Sequence, residues 1–203
     1  MDARDALARA DPHSPGAAVS WFDVMTAGAF RAFADAGCPW AVVECGLGGL
    51  RDSTNVLGAP VCVLTNIYLE HTDQLGSTRG AIAREKSGIV SPGCTLVTGL
   101  DVELAGEDEA VAACLGEAHA RGVSRILSAP AAAHETHETL NIALAELALS
   151  EVARVEGREV GAELAGARGG GGPALLPSRM ERTRTRMGVS VLVDGAHVPE
   201  SVA

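Results

Sequence analysis

Carboxylate, imidazole and amine side chains follow one another closely between Ala41 and Val90. Glu44 ends an apolar run and opens a glycine-rich loop, His71 follows a second apolar run, and Lys86 lies in the helical pattern that comes next. Lys86 is the sole lysine among the 16 basic residues. Carboxylates and imidazoles can bind cations, and open α/β sheets build their sites in loops at the carboxyl ends of parallel strands. The segment therefore predicts a site that contains these three side chains.

Each of these side chains also has a structural interpretation. Glu44 could accept hydrogen bonds from the glycine-rich loop, and a histidine after a strand is often a hydrogen-bonded residue of the scaffold. The glycines of residues 46–49 resemble a phosphate-binding loop, but they lack the spacing of a dinucleotide fingerprint, and the 203 residues contain no G-x-x-x-x-G-K-[ST] motif. Residue type and position therefore leave open a metal-dependent α/β hydrolase that uses Glu44, Asp73 and His71.

A second pair of histidines, His134 and His137, has Glu135 and Glu138 beside it. The spacing resembles that of a metal site, but it comes directly before a long amphipathic helical pattern. Polar residues in that place more often cap the helix that follows. We therefore predict a polar helix cap at these residues.

Composition limits the classes of protein to which the chain can belong. It has a formal net charge of −10, a hydrophobic fraction of 47% and few aromatic residues. The hydrophobic fraction predicts a sizeable core, and the acidic balance argues against binding to nucleic acids or anionic membranes, which needs clustered Lys and Arg. The five cysteines are scattered without a C-x-x-C pair, and the chain has neither a secretory signal nor an apolar run of membrane-spanning length. These features predict a cytoplasmic protein.

Strand and helix patterns alternate along the chain, which predicts a mostly parallel α/β sheet flanked by helices. The apolar runs are short and bounded by Gly, Pro and Asn, as in strands that are buried on both faces. Ser77 or Thr78 is a suitable N-cap for the second helix, and Gly88 is a suitable stop. The predicted helices are Trp21–Ala36, Gly76–Ser87, Glu107–Arg121 and His137–Val155, and the predicted strands are Trp40–Cys45, Val61–Thr65, Cys94–Thr98 and Ser124–Leu127.

The chain divides into four predicted units. A run of glycines at residues 169–172, followed by Pro173, interrupts the helical pattern and predicts a linker. Beyond it, an antiparallel hairpin around Met187-Gly188 is predicted as the opening of a second α/β domain. We predict an N-terminal arm at residues 1–20, a catalytic domain at residues 21–167, a linker at residues 168–178 and the start of a C-terminal domain at residues 179–203.

Six motifs, in order along the chain, resemble those of the folylpolyglutamate synthase/dihydrofolate synthase family of the Mur ligase superfamily. Glu44–Gly49 with Asp52–Asn55 resembles E-V-G-L-G-G…D-A-T-N, and Thr65–Thr72 resembles T-N-I-x-x-D-H-T. Ala83–Ile89 resembles A-x-E-K-A-G-I. The resemblance continues through His137 with Asn141 (H-x-x-x-N), Pro177–Glu181 (P-G-R-x-E) and Asp194–His197 (D-G-A-H-N-P).

The resemblance implies an ATP-dependent ligase that joins L-glutamate to the carboxylate of a folate or dihydropteroate through an acyl phosphate. It also implies that Glu44 and His71 hold Mg²⁺ and that a carbamylated Lys86 joins the metal site. Magnesium prefers oxygen ligands, so the assignment of His71 rests on the resemblance alone. For ATP, the resemblance implies binding by Asn141, Arg179, Asp194 and His197.

The sequence departs from the family pattern at both ends. Family members have a P-loop, roughly G-T-N-G-K-G-S, ahead of the matched segment, and the match stops within the first hairpin of the C-terminal domain. Glu70 stands where the family usually has Asp, and Val198 where it usually has Asn. We therefore expect a Mur ligase central-like domain that is truncated at both ends. The alternative to a ligase is a non-catalytic pseudoenzyme or interaction module, and the oligomeric state stays open.

Overall fold

The computed structural model describes residues 19–134, 136–158, 181–184, 186–187 and 189–193. Two predicted segments lie outside these residues. They are the N-terminal arm before residue 19 and the Gly/Pro linker. The proposed domain boundaries therefore stay predictions. Among the described helices, none combines the length and the apolar character needed to cross a membrane.

Three parallel strands form the central sheet, in the order β1-β2-β3. β1 spans Val61–Leu64, β2 spans Thr95–Thr98 and β3 spans Arg125–Ser128. The central strand β2 is buried at all four positions, whereas β1 lies at an edge and leaves Val63 39% exposed. The burial of both faces that was predicted for the Val61–Thr65 run therefore fails, and it is the central strand β2 that is buried on both faces. The strands end in register, with Leu64 paired to Thr98 and Thr98 to Ser128.

Short and long helices alternate with the strands, as the sequence predicts. Three 3₁₀ turns, at Ser87–Ile89, Val102–Gly106 and Ala131–Ala133, join them to the rest of the chain. The described α-helices are α1 (Trp21–Asp35), α2 (Thr72–Leu75), α3 (Arg79–Lys86), α4 (Glu109–Ala120) and α5 (His137–Val155).

Side-chain caps explain where the longer helices begin. The Thr78 hydroxyl accepts a hydrogen bond from the backbone N–H of Ala81 at 3.1 Å and starts α3. Asp108 caps α4, and Thr136 forms a capping box at the start of α5. Each cap satisfies N–H groups that have no partner within the helix. The predicted polar cap before α5 is confirmed, and the first turn of that helix starts at His137.

The two faces of the sheet are covered by different helices, because successive strand residues point to opposite faces. On one face, Cys62 and Leu96 share a buried core with residues of α3 and α4. On the other face, Val97 packs against Leu140 and Leu144 of α5. This arrangement is the predicted α/β layer order, with a parallel sheet between helices.

The segment at residues 40–45, predicted as a buried strand, is not a strand in the structure. Val42 is fully exposed, and the segment makes no ladder with β1. The segment is connected to α5 by the Trp40 indole, which donates a hydrogen bond to Glu156 at the end of that helix. The apolar pattern is present, but a strand also needs a neighbouring strand, and the described residues supply none at this place. Helix α1, which the sequence predicts over Trp21–Ala36, has Thr26 as its one buried residue.

A separate antiparallel hairpin follows. β4 spans Glu181–Arg184 and β5 spans Ser190–Val193, and the two strands pair antiparallel. The predicted hairpin is therefore confirmed. Arg184 and Arg186 are exposed, as expected for one solvated face.

Candidate active site

Lys86, the last residue of α3, reaches across to the loop that follows β1. Its ammonium group forms an ion pair with the carboxylate of Glu70. The Lys86 and Glu70 side chains are only 21% and 18% exposed, so the pair is largely shielded from water. Glu70 directly precedes His71, and the contact therefore joins two of the motifs found in the sequence.

His71 adopts a backbone conformation that places it at a sharp corner. Its φ of 49° lies in the left-handed region, and it is the one non-glycine residue with positive φ among those described. The residue also stands at the N-cap of α2 without a side-chain cap bond, and it is exposed. Such backbone conformations cost about 1–3 kcal/mol and cluster at functional sites. The turn presents the imidazole at the carboxyl edge of the sheet, where the sequence predicts a site.

Asp52 holds the glycine-rich loop together. One carboxylate oxygen accepts hydrogen bonds from the backbone N–H groups of Gly46 and Leu47, both at 2.9 Å. The other accepts from the N–H and the hydroxyl of Thr54. Burial acts to raise the pKa of Asp52, but the hydrogen bonds from Thr54, Leu47 and Gly46 outweigh it and hold the pKa below its usual value. The sequence analysis assigned no role of its own to Asp52. Its position just after a glycine-rich turn could have indicated one, because Asp side chains often accept hydrogen bonds from the backbone of a turn.

The glycines of this loop allow it to lie directly on the end of α3. A Cβ at Gly49 would come within 2.5 Å of the Lys86 carbonyl oxygen, and one at Gly88 within 2.4 Å of Leu50 Cα. The Leu50 N–H donates to the Glu85 carbonyl at 2.8 Å, which fixes the contact. These glycines therefore pack the loop against the helix that carries Lys86, so the structural explanation of this part of the G-x-G-G run is supported.

Cys45 shows that charged groups from separate segments converge. Burial raises the pKa of its thiol, although a hydrogen bond from Thr54 opposes this. The charges of Asp52 and Glu44 raise the pKa further, and the positive charge of Lys86 lowers it. Glu44, Asp52 and Lys86 thus all act on one thiol and share one region of the molecule. Glu44 itself is exposed, as a ligand-binding carboxylate at a rim can be.

A second junction joins the loop after β1 to the start of α5. The rings of Tyr68 and His137 pack edge to face, with their centroids 6.5 Å apart. Asn141 follows His137 by four residues on α5, so the two side chains lie on the same face of the helix. Asn141 is exposed and therefore accessible to a ligand. The candidate nucleotide residue and the candidate metal residue His71 are thus linked through a single short loop.

The residue types at this place suit a magnesium ion only in part. Among the described residues, no three His, Cys, Asp or Glu side chains are grouped closely enough to hold a metal. Glu44 offers carboxylate oxygens, which Mg²⁺ prefers, and His71 offers an imidazole. Lys86 is a cation in its ion pair and would repel the metal, whereas a carbamate on Lys86 would present oxygens of the preferred kind. The magnesium site and the carbamylation of Lys86 therefore stay predictions.

A polar cleft of about 330 Å³ lies beside the glycine-rich loop. Leu47, Arg51 and Asp52 line it from the loop, and Gln74 and Leu75 line it from α2. Glu85 and Ser53 complete the lining. The sequence predictions did not include this cleft, because its walls come from three separate segments of the chain.

The structure brings some of the predicted site residues close together, whereas others lie outside the described residues. It brings Lys86 to the Glu70–His71 corner and into the same region as Glu44, and it connects Asn141 to that corner through His137 and Tyr68. Three predicted nucleotide residues, Arg179, Asp194 and His197, lie outside the described residues.

Known proteins with related sequences share a part of this chain. No protein-family model matches the chain. A dihydrofolate synthase/folylpolyglutamate synthase of Mycobacterium tuberculosis is 49% identical over 87 residues, which are 43% of this chain and 18% of that protein. The Saccharomyces cerevisiae dihydrofolate synthetase is 45% identical over 75 residues, which are 36% of this chain and 18% of that protein.

Solved structures extend the similarity over nearly the whole chain. M. tuberculosis folylpolyglutamate synthase complexed with ADP matches with a TM-score of 0.72 at 30% identity, covering 97% of this chain and 48% of that one. The apo form of L. casei FPGS matches with a TM-score of 0.75 at 26% identity, covering 98% of this chain and 53% of that one. The chain is thus similar to folylpolyglutamate synthases and dihydrofolate synthases, as its motifs predicted. Its fold is the Mur ligase-like α/β fold, so the predicted fold class is confirmed.

The relation to folylpolyglutamate synthases is partial in length. The chain spans about half the length of the solved family members that it matches. One of the matching structures is an FPGS-AMPPCP-folate complex, with a TM-score of 0.77 at 26% identity. That protein therefore binds an ATP analogue and folate on a scaffold like this one.

Proposed function

We propose that the chain acts as an ATP-dependent ligase of folate metabolism, which adds L-glutamate to the carboxylate of a folate or dihydropteroate through an acyl phosphate. In this reaction the substrate carboxylate attacks the γ-phosphate of ATP and releases ADP. The amine of L-glutamate then attacks the acyl carbon and displaces phosphate, so that an amide bond forms. Supporting this proposal, curated relatives are named as dihydrofolate and folylpolyglutamate synthases.

The observation that carries the proposal is the convergence of motif segments at one loop. Glu70 in the loop after β1 is paired with Lys86, and Tyr68 in the same loop packs on His137. A loop that contacts both a candidate metal residue and a candidate nucleotide helix suits a reaction in which a phosphate and its counter-ion must lie side by side.

Each predicted residue then has a role. Glu44 and His71, together with a carbamylated Lys86, would hold Mg²⁺, which neutralises phosphate charge when bound. Asn141 would donate to the nucleotide from the first turns of α5, and Arg179 would bind phosphate oxygens with its planar fork. Asp194 and His197 would contact the ribose side of the nucleotide. The five free cysteines are compatible with our proposal of a reducing cytoplasm.

A ligase assay tests this proposal. The full chain is incubated with Mg-ATP, L-glutamate and either dihydropteroate or tetrahydrofolate, and the glutamylated product is identified by mass spectrometry. We expect product with the wild type and a loss of at least about tenfold in Lys86→Met, because even the loss of a residue that only orients a metal ligand typically costs about 10–100-fold in activity. Arg31→Gln, which removes an exposed ion pair on α1, serves as the control and should retain activity.

The outcomes separate the two candidate functions. Product formation that depends on Lys86 supports the ligase. Binding of Mg-ATP without product in either substrate arm contradicts the ligase and supports the non-catalytic module instead.

A further inference from the structure

An arginine lines the cleft beside the glycine-rich loop, and its guanidinium group makes no ion pair or hydrogen bond with the residues that the structure describes. Of the arginines within residues 19–158, Arg51 and Arg84 are the two whose guanidinium groups make no hydrogen bond or ion pair with described residues. Only Arg51 of these two lines the cleft. In a chain with a net charge of −10, an arginine left unpaired beside carboxylates requires an explanation.

The carboxylates nearest to Arg51 along the cleft are already engaged by other donors. Asp52 accepts from the backbone of Gly46, Leu47 and Thr54, as described above. Glu85 accepts a hydrogen bond from the backbone N–H of Arg51 at 3.2 Å and from no other donor in the described residues. Backbone N–H groups thus bind both acids, and the described residues show no ion pair between either acid and the exposed guanidinium of Arg51.

The remaining lining suits an organic acid. Leu47 and Leu75 provide aliphatic walls, and Gln74 provides an amide that can donate or accept a hydrogen bond. A guanidinium group binds a carboxylate with two parallel hydrogen bonds, which gives both orientation and affinity. A triphosphate would place several negative charges beside Asp52 and Glu85, whereas a single carboxylate meets less repulsion. The lining therefore favours one carboxylate on a short aliphatic chain.

We propose that Arg51 binds the carboxylate of a glutamyl group in this cleft and thereby helps to select glutamyl substrates. This inference rests on the proposed ligase function and specifies one of its binding contacts. The carboxylate belongs either to the glutamyl tail of a folate or to free L-glutamate. Arg51 is then a specificity residue that touches substrate, at a position between the glycine run and Asp52.

Equilibrium dialysis of the full chain tests the inference with three probes. Folate carries a glutamyl group, pteroate is the same ring system without it, and L-glutamate is the free amino acid. We expect Arg51→Gln to weaken folate binding by about tenfold or more, since a hydrogen bond to a charged group is worth about 1.5–3 kcal/mol. Pteroate binding should not change. Arg51→Lys keeps the charge without the fork and should bind folate with an intermediate affinity.

Arg84→Gln is the matched control. Arg84 is also unpartnered and exposed, but it lies on α3 outside the cleft lining. Its substitution removes the same charge and should leave the affinities for all three probes unchanged. The thermal midpoint of each variant is measured in parallel, so that a folding defect is not taken for a loss of contact.

Each outcome decides the inference. A loss in Arg51→Gln that falls on L-glutamate alone also supports it and assigns the carboxylate to the incoming amino acid. Equal losses for folate and pteroate, an equal loss in Arg84→Gln, or wild-type affinity in Arg51→Gln overturns it. So does a wild-type chain that binds neither folate nor L-glutamate.

The ligase assay separates this result from the proposed function. Product formation by a chain whose Arg51→Gln variant binds and turns over normally would refute the inference and leave the ligase intact. A wild type that binds none of folate, L-glutamate and Mg-ATP would remove the proposed function, and the inference with it.

Discussion

At the residue scale, Asp52 and the glycines around it have the clearest structural duties. Asp52 collects hydrogen bonds from three backbone N–H groups and one hydroxyl, and it thereby fixes the loop that follows Glu44. Ser53 donates from the same loop to Asp23 of α1. Two consecutive side chains thus connect the loop internally and to a helix.

Replacing Asp52 by Asn should destabilise the fold. We call the four hydrogen bonds that the Asp52 carboxylate accepts the Asp52 clasp. The amide nitrogen of Asn cannot accept hydrogen bonds, so the donors on one side of the clasp lose their acceptor. The remaining hydrogen bonds lose the negative charge that strengthens them. We expect the free energy of unfolding to fall by about 1–3 kcal/mol, measured by urea denaturation. Asp35→Asn, which removes an exposed i,i+4 ion pair, should change it little. Equal stability of Asp52→Asn and wild type would contradict the proposed clasp.

Replacing Gly49 by Ala should also destabilise the fold, because the new Cβ would lie 2.5 Å from the Lys86 carbonyl oxygen. Overpacking of this kind typically costs about 1–3 kcal/mol. Gly116→Ala is a suitable control, since Gly116 lies on α4 with nothing within 4 Å of the added Cβ. That change should stabilise the protein by up to about 1 kcal/mol, because Ala favours helix. Opposite shifts in the thermal midpoints are therefore expected, and a shift of the same sign in both would refute the packing argument.

At the element scale, α5 is tied to the sheet by packing and by one buried carboxylate. Leu140 and Leu144 pack against Val97 of β2, and Glu151 is 4% exposed. Glu151 accepts from the Thr95 hydroxyl at 3.0 Å and pairs with Arg125 of β3 at 2.7 Å. Burial acts to raise the pKa of Glu151, but the hydrogen bonds from Arg154 and Thr95 and the two arginine charges hold the pKa below its usual value.

This depressed pKa predicts a pH-dependent contribution to stability. The contribution is present above the ordinary glutamate pKa of 4.5 and is lost as the pH falls through the lower folded value, because the unfolded chain then binds the proton more readily. Glu151→Gln should therefore be less stable than the wild type at about pH 7 and should approach it at about pH 3. The test is the urea midpoint of both proteins across that range. A difference that stays constant or grows on acidification would contradict the assignment.

The elements also show how far the sequence alone can predict this fold. α5, α3 and the strands of the sheet were predictable, since an apolar period, a cap and a turn are local signals, as at Thr78 and Thr136. The segment at residues 40–45 has the same apolar pattern as β1 but is not a strand, because pairing depends on a neighbouring strand and not on the segment itself. Local pattern therefore predicts a helix or a short apolar run, but whether such a run becomes a strand depends on a partner elsewhere in the chain.

At the scale of the whole molecule, the candidate site was predictable as a region and only partly as a set of contacts. The ion pair of Lys86 with Glu70, the neighbour of His71, is compatible with the predicted site, whose ligand set stays a prediction. The Glu70 ion pair, the Asp52 clasp and the Arg51 cleft depend on loop conformations that no spacing rule specifies. Family resemblance added the roles of Glu44 and Asn141, which residue type alone left open.

A metal and nucleotide site at this edge of the sheet is the basis of the proposed ligase, so the decisive measurement is isothermal titration of the full chain with Mg-ATP. We expect Mg-ATP to bind at one site per chain. Binding should be weaker in His71→Ala and in Asn141→Ala, and unchanged in the control Arg84→Gln. Wild-type affinity in both His71→Ala and Asn141→Ala, or no binding to the wild type, would contradict the proposed site.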